Sequence, residues 1–300
     1  MMKYIWRVGI VLLLLLCMLL LVPSGAIVAQ AEVVEIPLNA KKGLKPLETG
    51  YLSDWEYEDP SISVKIEKGR IYDTDYVYAR VKLHNASQLR TVMAAGYYSP
   101  STLMGTTMAK RTNAVLAING DFFSSRNGHG YVARQGKVYR NACNSRIYDI
   151  LVIDNQGDLH IVEKPDSAEM EAWKDTVVQG FTFGPGLIVN GEVRRYNVED
   201  FEFNCAAENA AQRMCIAQVG PLEYLCICSE GPEDPGSVGL TLDQFTDLVA
   251  SFEGIQNAYN LDGGSSTSVC LNGEKINSPS NPKRREVGDC IYFCTLIPNE

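Results

Sequence analysis

Four short segments of this 300-residue chain carry side chains of the kinds that do chemistry. The sharpest is Ala258-Tyr259-Asn260-Leu261-Asp262-Gly263-Gly264-Ser265-Ser266-Thr267-Ser268. An apolar stretch gives way to a carboxylate, two glycines and a run of hydroxyl residues. Successive Gly and Ser backbone N–H groups can form a concave anion site, with the hydroxyls as further donors and Asp262 at its mouth. A solvated Gly/Ser loop has the same composition. Tight apolar boundaries on both sides, with Val269–Leu271 resuming a strand, favour a site. No Gly-Lys-Ser/Thr follows, so this is not a nucleotide-type phosphate loop. It is not Gly-x-Ser-x-Gly and no histidine is nearby, which leaves a Ser-His-Asp hydrolase with little support.

The second segment, Asn119-Gly120-Asp121-Phe122-Phe123, follows an apolar strand expected over 114–118. It sets polar side chains at a sheet rim, although Asn-Gly and Gly-Asp are also ordinary turn formers. The third begins at Arg213, which is either a solvated rim charge or a fork for gripping phosphate. The fourth, residues 183–192, reads mostly as architecture: Asn190-Gly191 is a hairpin turn, and Gly184 and Gly186 permit close approach. His129 is either a general acid or an ordinary surface-loop histidine.

The elements that must hold these segments are mainly strands. Ile62, Val64 and Ile66 alternate with polar residues, as do Val77, Ala79, Val81 and Leu83. Arg134-Gln135-Gly136 and residues 155–158 read as hairpin turns. Short helices are expected over 101–111 and 167–174. The clearest helix spans 242–251, with Thr241 and Gln244 forming a capping box and Leu242, Phe245, Leu248, Val249 and Phe252 one apolar stripe. No repeat or linker divides the chain after Ser61. The expected fold is α+β: one domain over 61–300 of mostly antiparallel or mixed sheet with a few helices, preceded by a linker or wrapping segment over 32–60.

Residues 1–31 read as an export signal or a membrane anchor. Lys3 and Arg7 precede an apolar run, and Ala29-Gln30-Ala31 offers a small-x-small cleavage site. The run is short for a membrane span. Losing this segment leaves 25 basic against 36 acidic residues, so the net charge moves from −9 to −11. That balance argues against nucleic acid as a partner. It also removes Cys17 and leaves eight of nine cysteines. An even count in an exported chain suits disulfides, while Cys226 and Cys228, alternating in an apolar run, suit buried thiols; both readings stand. No cysteine–histidine cluster calls for zinc, and nothing requires a metal or other cofactor.

In this order, the segments resemble the phosphodiester glycosidase family. Ala-Ile-Asn-Gly-Asp-Phe-Phe at 117–123 and Asn-Leu-Asp-Gly-Gly-Ser-Ser-Thr at 260–267 look like its two hallmarks. Residues 89–91, 183–191 and the Arg213 strand match less distinctively. Met214-Cys215 after Arg213, and Glu286-Val287-Gly288-Asp289 after Arg285, depart from the family pattern and bear on the substrate more than on the fold. The resemblance implies hydrolysis of a sugar-1-phosphodiester between the anomeric carbon and the phosphate oxygen, and the N-terminal segment points to a secreted or surface-anchored protein outside the cytoplasm. A weakly basic phosphomonoester leaving group needs charge neutralisation more than a proton. The resemblance therefore implies Asp121 and Asp262 as catalytic carboxylates. Arg213, Arg285, Gly263, Gly264, Ser265 and Ser266 would hold the phosphate, and Asn119, Gly120 and Asn260 the sugar. The rival is a non-catalytic cell-surface module for anionic polysaccharide, with tyrosines as stacking platforms. The expected partners are carbohydrate or sugar phosphate, with a membrane involved only through an uncleaved N-terminus.

Overall fold

The computed structural model describes residues 33–123, 128–144, 148–196, 207–278 and 285–298. The N-terminal segment Met1–Ala31 and Cys205 lie outside them. The remaining chain, Glu32–Glu300, is one compact unit. Three sheets build it, and every strand pairing described is antiparallel. The largest has nine strands in the spatial order Tyr51–Ser53, Glu56–Asp59, Ile62–Ile71, Thr74–Leu83, Glu223–Ser229, Arg213–Gly220, Asn257–Leu261, Gly186–Val189 and Glu192–Val193. A five-stranded sheet runs Leu159–Val162, Ile150–Asp154, Val177–Thr182, Gly130–Arg134, Lys137–Ala142. The other five-stranded sheet runs Glu274–Lys275, Val269–Leu271, Leu116–Asn119, Asp289–Phe293, Leu89–Met93.

Strand alternation turns one set of side chains inward. Val64, Ile66, Val77, Ala79, Met214, Ile216, Tyr259 and Leu261 from the large sheet meet Leu151, Phe181, Ile118, Val269 and Phe293 from the smaller two in a common core. The opposite face of the large sheet, with Cys215, Ala217, Leu225 and Ile227, is covered by the Leu242–Ala250 helix through Leu242, Phe245, Leu248 and Val249. The expected capping box is present: Thr241 Oγ1 accepts from Gln244 N at 3.2 Å, and Gln244 returns the bond. Among the described residues the α-helices are three, the others being Gly105–Thr112 and Ser167–Glu171.

Two boundaries differ from the sequence expectation. The first helix begins at Gly105, because Leu103 instead exchanges backbone hydrogen bonds with Val287 at 3.0 and 2.9 Å. The fold also starts before Ser61. Tyr51–Ser53 and Glu56–Asp59 extend the large sheet, Tyr57 is fully buried, and Ile36 joins a core cluster. Arg90, itself buried, secures the segment by donating to the carbonyls of Ile36, Pro37, Leu38 and Ala40. Cys143, Cys215, Cys226, Cys228, Cys290 and Cys294 are buried free thiols, which decides their case for small hydrophobes.

Candidate active site

The strands Asn257–Leu261 and Arg213–Gly220 pair with Leu261 opposite Met214, so Asp262 and Arg213 leave the sheet at the same end. Leu116–Asn119 of another sheet ends beside them. Asn119 is fully buried and all its polar positions are used. Its Nδ2 donates to the carbonyls of Asp262 at 2.8 Å and Gly120 at 3.2 Å, and its Oδ1 accepts from Ser268 N at 3.0 Å. Asp262 N donates to Gly120 O at 3.3 Å. The two hallmark segments are therefore stitched backbone to backbone, and Asn119 is a staple rather than an open ligand for sugar hydroxyls.

Past this staple, Asp262 reaches toward solvent. Its Oδ2 pairs with Arg285 Nη2 at 3.0 Å, with the two side chains 11% and 45% exposed. The Arg285 guanidinium sits 4.9 Å over the Phe122 ring. Behind Asp262 the loop tightens into a 3-10 turn over Gly264–Ser266. Gly264 has φ +59, a left-handed conformation that glycine adopts without strain. The expected row of free N–H donors is only half present. Gly264 N–H is taken by Gln212 O at 3.0 Å and Ser266 N–H by Gly263 O at 3.3 Å, while those of Gly263 and Ser265 bond no described residue. Gly263 is required by close approach, since a Cβ there would stand 2.7 Å from Gln212 O. Asn260 donates through Nδ2 to Gly184 O at 2.8 Å, and its buried Oδ1 is unpartnered, as is Ser266 Oγ.

Asp121 sits deeper. Its side chain is fully buried; Oδ1 accepts from Phe123 N and Arg134 Nη2 at 3.1 and 3.0 Å, and Oδ2 from Thr182 N at 2.8 Å. Arg134, a residue the sequence reading took only as a hairpin-turn position, is the centre of this network. It grips Asp289 Oδ2 through Nε and Nη2 at 2.8 and 2.6 Å, donates to the carbonyls of Ala133 and Gly180, and lies 4.0 Å over the Phe181 ring. Burial pushes the Asp289 carboxyl up to about 7; the Arg134 charge opposes this and the Asp121 and Asp262 charges add to it. Its Oδ1 is buried, unpartnered and turned toward Gly120.

Arg213 is likewise buried. Nε donates to Leu240 O at 3.1 Å and Nη2 to Asn209 O at 2.8 Å, so at least two of its five donors tie backbone segments together. Gln212, which pins Gly264, is held in turn by a second carboxyl pair. Its Nε2 donates to Asp234 Oδ2 at 2.7 Å and Ser278 Oγ at 2.9 Å, and Ser278 also binds Glu230 through its N–H at 2.8 Å and through its hydroxyl. Burial pushes the Glu230 carboxyl up to about 7 against the Ser278 hydrogen bonds, with the Asp234 charge adding. His129 is exposed. Arg134 and the Glu230–Asp234 pair escaped sequence reading because their partners lie far along the chain, up to 155 residues away for Arg134 with Asp289.

No curated protein matches the chain by sequence. Among solved structures, the catalytic domain of zebrafish N-acetylglucosamine-1-phosphodiester alpha-N-acetylglucosaminidase, auto-inhibited by its pro-peptide, is similar. Its TM-score is 0.63 at 18% identity, covering 84% of this chain and 87% of that one. A hypothetical protein from Synechocystis matches with TM-score 0.52 and 18% identity over 77% of this chain and 62% of that one. A protein from Burkholderia pseudomallei K96243 named as exported gives 0.51 and 13% over 74% of each. At these identities the likeness establishes the fold. The profile of the phosphodiester glycosidase family matches residues 112–294, well over half of the chain and both hallmark segments. The chain belongs to the phosphodiester glycosidase family and is a glycosidase-type hydrolase.

Proposed function

We propose that the protein hydrolyses a sugar-1-phosphodiester on an extracytoplasmic glycan or glycoconjugate, breaking the bond between the anomeric carbon and the phosphate oxygen. The observation that carries this reading is the Asp262–Arg285 pair at the mouth of the Gly263–Gly264 turn. A carboxylate and a partly exposed guanidinium side by side match the two charges that such a reaction develops. Arg285 and the N–H groups of Gly263 and Ser265 take the phosphate, stabilising the departing phosphomonoester. Asp262 faces the oxocarbenium-like carbon. Asn260 is buried and donates to Gly184 O, so it is assigned to positioning the loop. Asp121 and Arg213 are assigned to positioning, because their polar atoms are engaged inside the protein. Export is supported by the N-terminal segment and by the Burkholderia protein named as exported.

The test is release of reducing sugar from a panel of sugar-1-phosphodiesters, N-acetylglucosamine-1-phosphodiesters first. Asp262→Asn is expected to lower kcat by roughly 10²–10⁴-fold in a folded protein. Arg285→Ala is expected to raise KM and lower kcat together. Wild-type kcat in Asp262→Asn sinks the assignment.

A further inference from the structure

A second feature lies on the far side of the Leu89–Met93 edge strand. A cavity of about 790 Å³ there is lined by Lys41, Lys42, Arg111 and Lys137 with Tyr97 and Tyr139, and no acidic side chain among the described residues borders it. The four cations are exposed, and none forms an ion pair with a described residue. In a chain with 36 acidic and 27 basic residues, such a one-sign cluster is unusual. Concave walls focus its field, so an anion entering meets uncompensated positive potential. Arg134 also lines the cavity, but its charge is spent on Asp121 and Asp289.

The aromatic rings give the cluster a second property. Tyr97 is 66% exposed, one of the most exposed large hydrophobic side chains among the described residues. Lys137 Nζ lies 4.9 Å over the Tyr139 ring. Tyr98 stacks on Tyr139 at 5.2 Å and on Phe123 at 5.5 Å. Phe123 adjoins Phe122, which carries Arg285. The loop bearing these tyrosines is bound to the Arg285 segment by Ala94 N to Gly288 O at 2.8 Å and by the Leu103–Val287 bridge. Tyr97, Tyr98 and Tyr139 therefore form an aromatic wall at the cationic cavity, backed by the buried Phe123.

We propose that this cavity binds an anionic glycan chain, holding the part of a polymeric substrate beyond the bond that is cleaved. Flat ring faces pack against sugar rings while the lysines and arginine take the repeating anionic groups. A concave site walled by tyrosine rings suits a chain better than a flat lipid surface. Only the location of the scissile bond rests on the function proposed above; binding of the chain does not.

Binding is measured on the Asp262→Asn protein by fluorescence anisotropy, so no turnover intervenes. The probes are a labelled short oligomer of poly(N-acetylglucosamine 1-phosphate), a neutral chitin oligomer, a thymidylate oligomer and phosphatidylglycerol vesicles. The charged glycan is expected to bind best, about tenfold or more above the neutral one, with affinity falling as salt rises. Lys42→Glu with Lys137→Glu is expected to weaken it about tenfold and flatten the salt dependence. In the otherwise wild-type enzyme the same pair leaves kcat/KM on a minimal sugar-1-phosphodiester unchanged. Tyr97→Ala is expected to weaken both glycans. No binding of the charged glycan, equal binding of the neutral one, an unaffected double variant, or tighter binding of the thymidylate oligomer or the vesicles overturns the proposal. Binding without turnover of any sugar-1-phosphodiester would sink the proposed reaction and leave the cavity's role intact.

Discussion

The substitution Gly120→Ala isolates the packing that supports the site. A Cβ at residue 120 would stand 2.4 Å from Asp289 Oδ1 and 2.7 Å from both Cγ and Oδ2. Ordinary contact needs roughly 3.5 Å, so the carboxyl must retreat by about 1 Å. It has nowhere to go, because Arg134 holds it at 2.6 and 2.8 Å in a buried network. Overpacking alone costs about 1–3 kcal/mol, and loosening a buried ion pair costs up to about 3–5 kcal/mol. A net loss of about 3 kcal/mol follows, or roughly 6–12 °C in Tm for a domain of this size. Gly120 O also receives Asp262 N, so activity should fall with stability. Calorimetry and guanidinium titration measure the loss, and a double-mutant cycle assigns it. In an Asp289→Ala background, the added Gly120→Ala should cost less than about 1 kcal/mol, since the clash is gone. A single variant within about 0.5 kcal/mol of wild type, or a full cost persisting in the Asp289→Ala background, refutes the reasoning.

Asp289 and Glu230 both have carboxyls raised to about 7, so the folded protein holds protons there that the unfolded chain has released. Their contribution is therefore greatest below the unfolded carboxyl range and is lost as pH rises to about 7. Denaturant midpoints should fall between about pH 4.5 and pH 7.5, and Glu230→Gln should flatten that slope; a rise across the window contradicts the burial argument. The thiols of Cys143, Cys215, Cys226, Cys228, Cys290 and Cys294 should be silent to a thiol reagent at pH 8 until the protein is denatured, with Cys143 the first to react because it is the most exposed of them. Their absence after denaturation without reductant would mean disulfides instead.

What was legible in the sequence was local. Alternation marked the strands Ile62–Ile71 and Thr74–Leu83, and Thr241 with Gln244 marked the Leu242–Ala250 helix, because each signal resides within a few residues. The Asp-Gly-Gly-Ser-Ser loop stood out for the same reason. The availability of its donors did not, since Gln212, fixed by Asp234 and Ser278, claims Gly264 N–H. Asp121 and Asp262 look alike in sequence and differ entirely in setting. One is sealed by Arg134 and Thr182, and the other opens toward solvent with Arg285. Residues 33–60 lacked a period because their order comes from outside, from the Arg90 donors and from sheet pairing.

If the proposed reaction holds, the Asp262–Arg285 pair lets an acidic protein admit an anion. Arg285 is 45% exposed and Asp262 11%, so the pair lies between a surface pair, worth about 0–1 kcal/mol, and a fully buried one, which costs several kcal/mol to break. A phosphodiester carries one negative charge, so its arrival exchanges one partner of Arg285 for another. In the proposed reaction Asp262 would then be released to face the anomeric carbon, with Arg285 between two like charges. Cleavage converts the diester to a monoester whose second ionisation lies near pH 6, which raises its charge beside the Asp262 carboxylate. Repulsion would then favour departure of the phosphate and return of Asp262 to Arg285. A buried pair such as Asp289–Arg134 could not cycle in this way, because breaking it costs several kcal/mol with no solvent to take up the charge. The difference in exposure between these two Asp–Arg pairs therefore separates the one that can exchange partners from the one that must hold still.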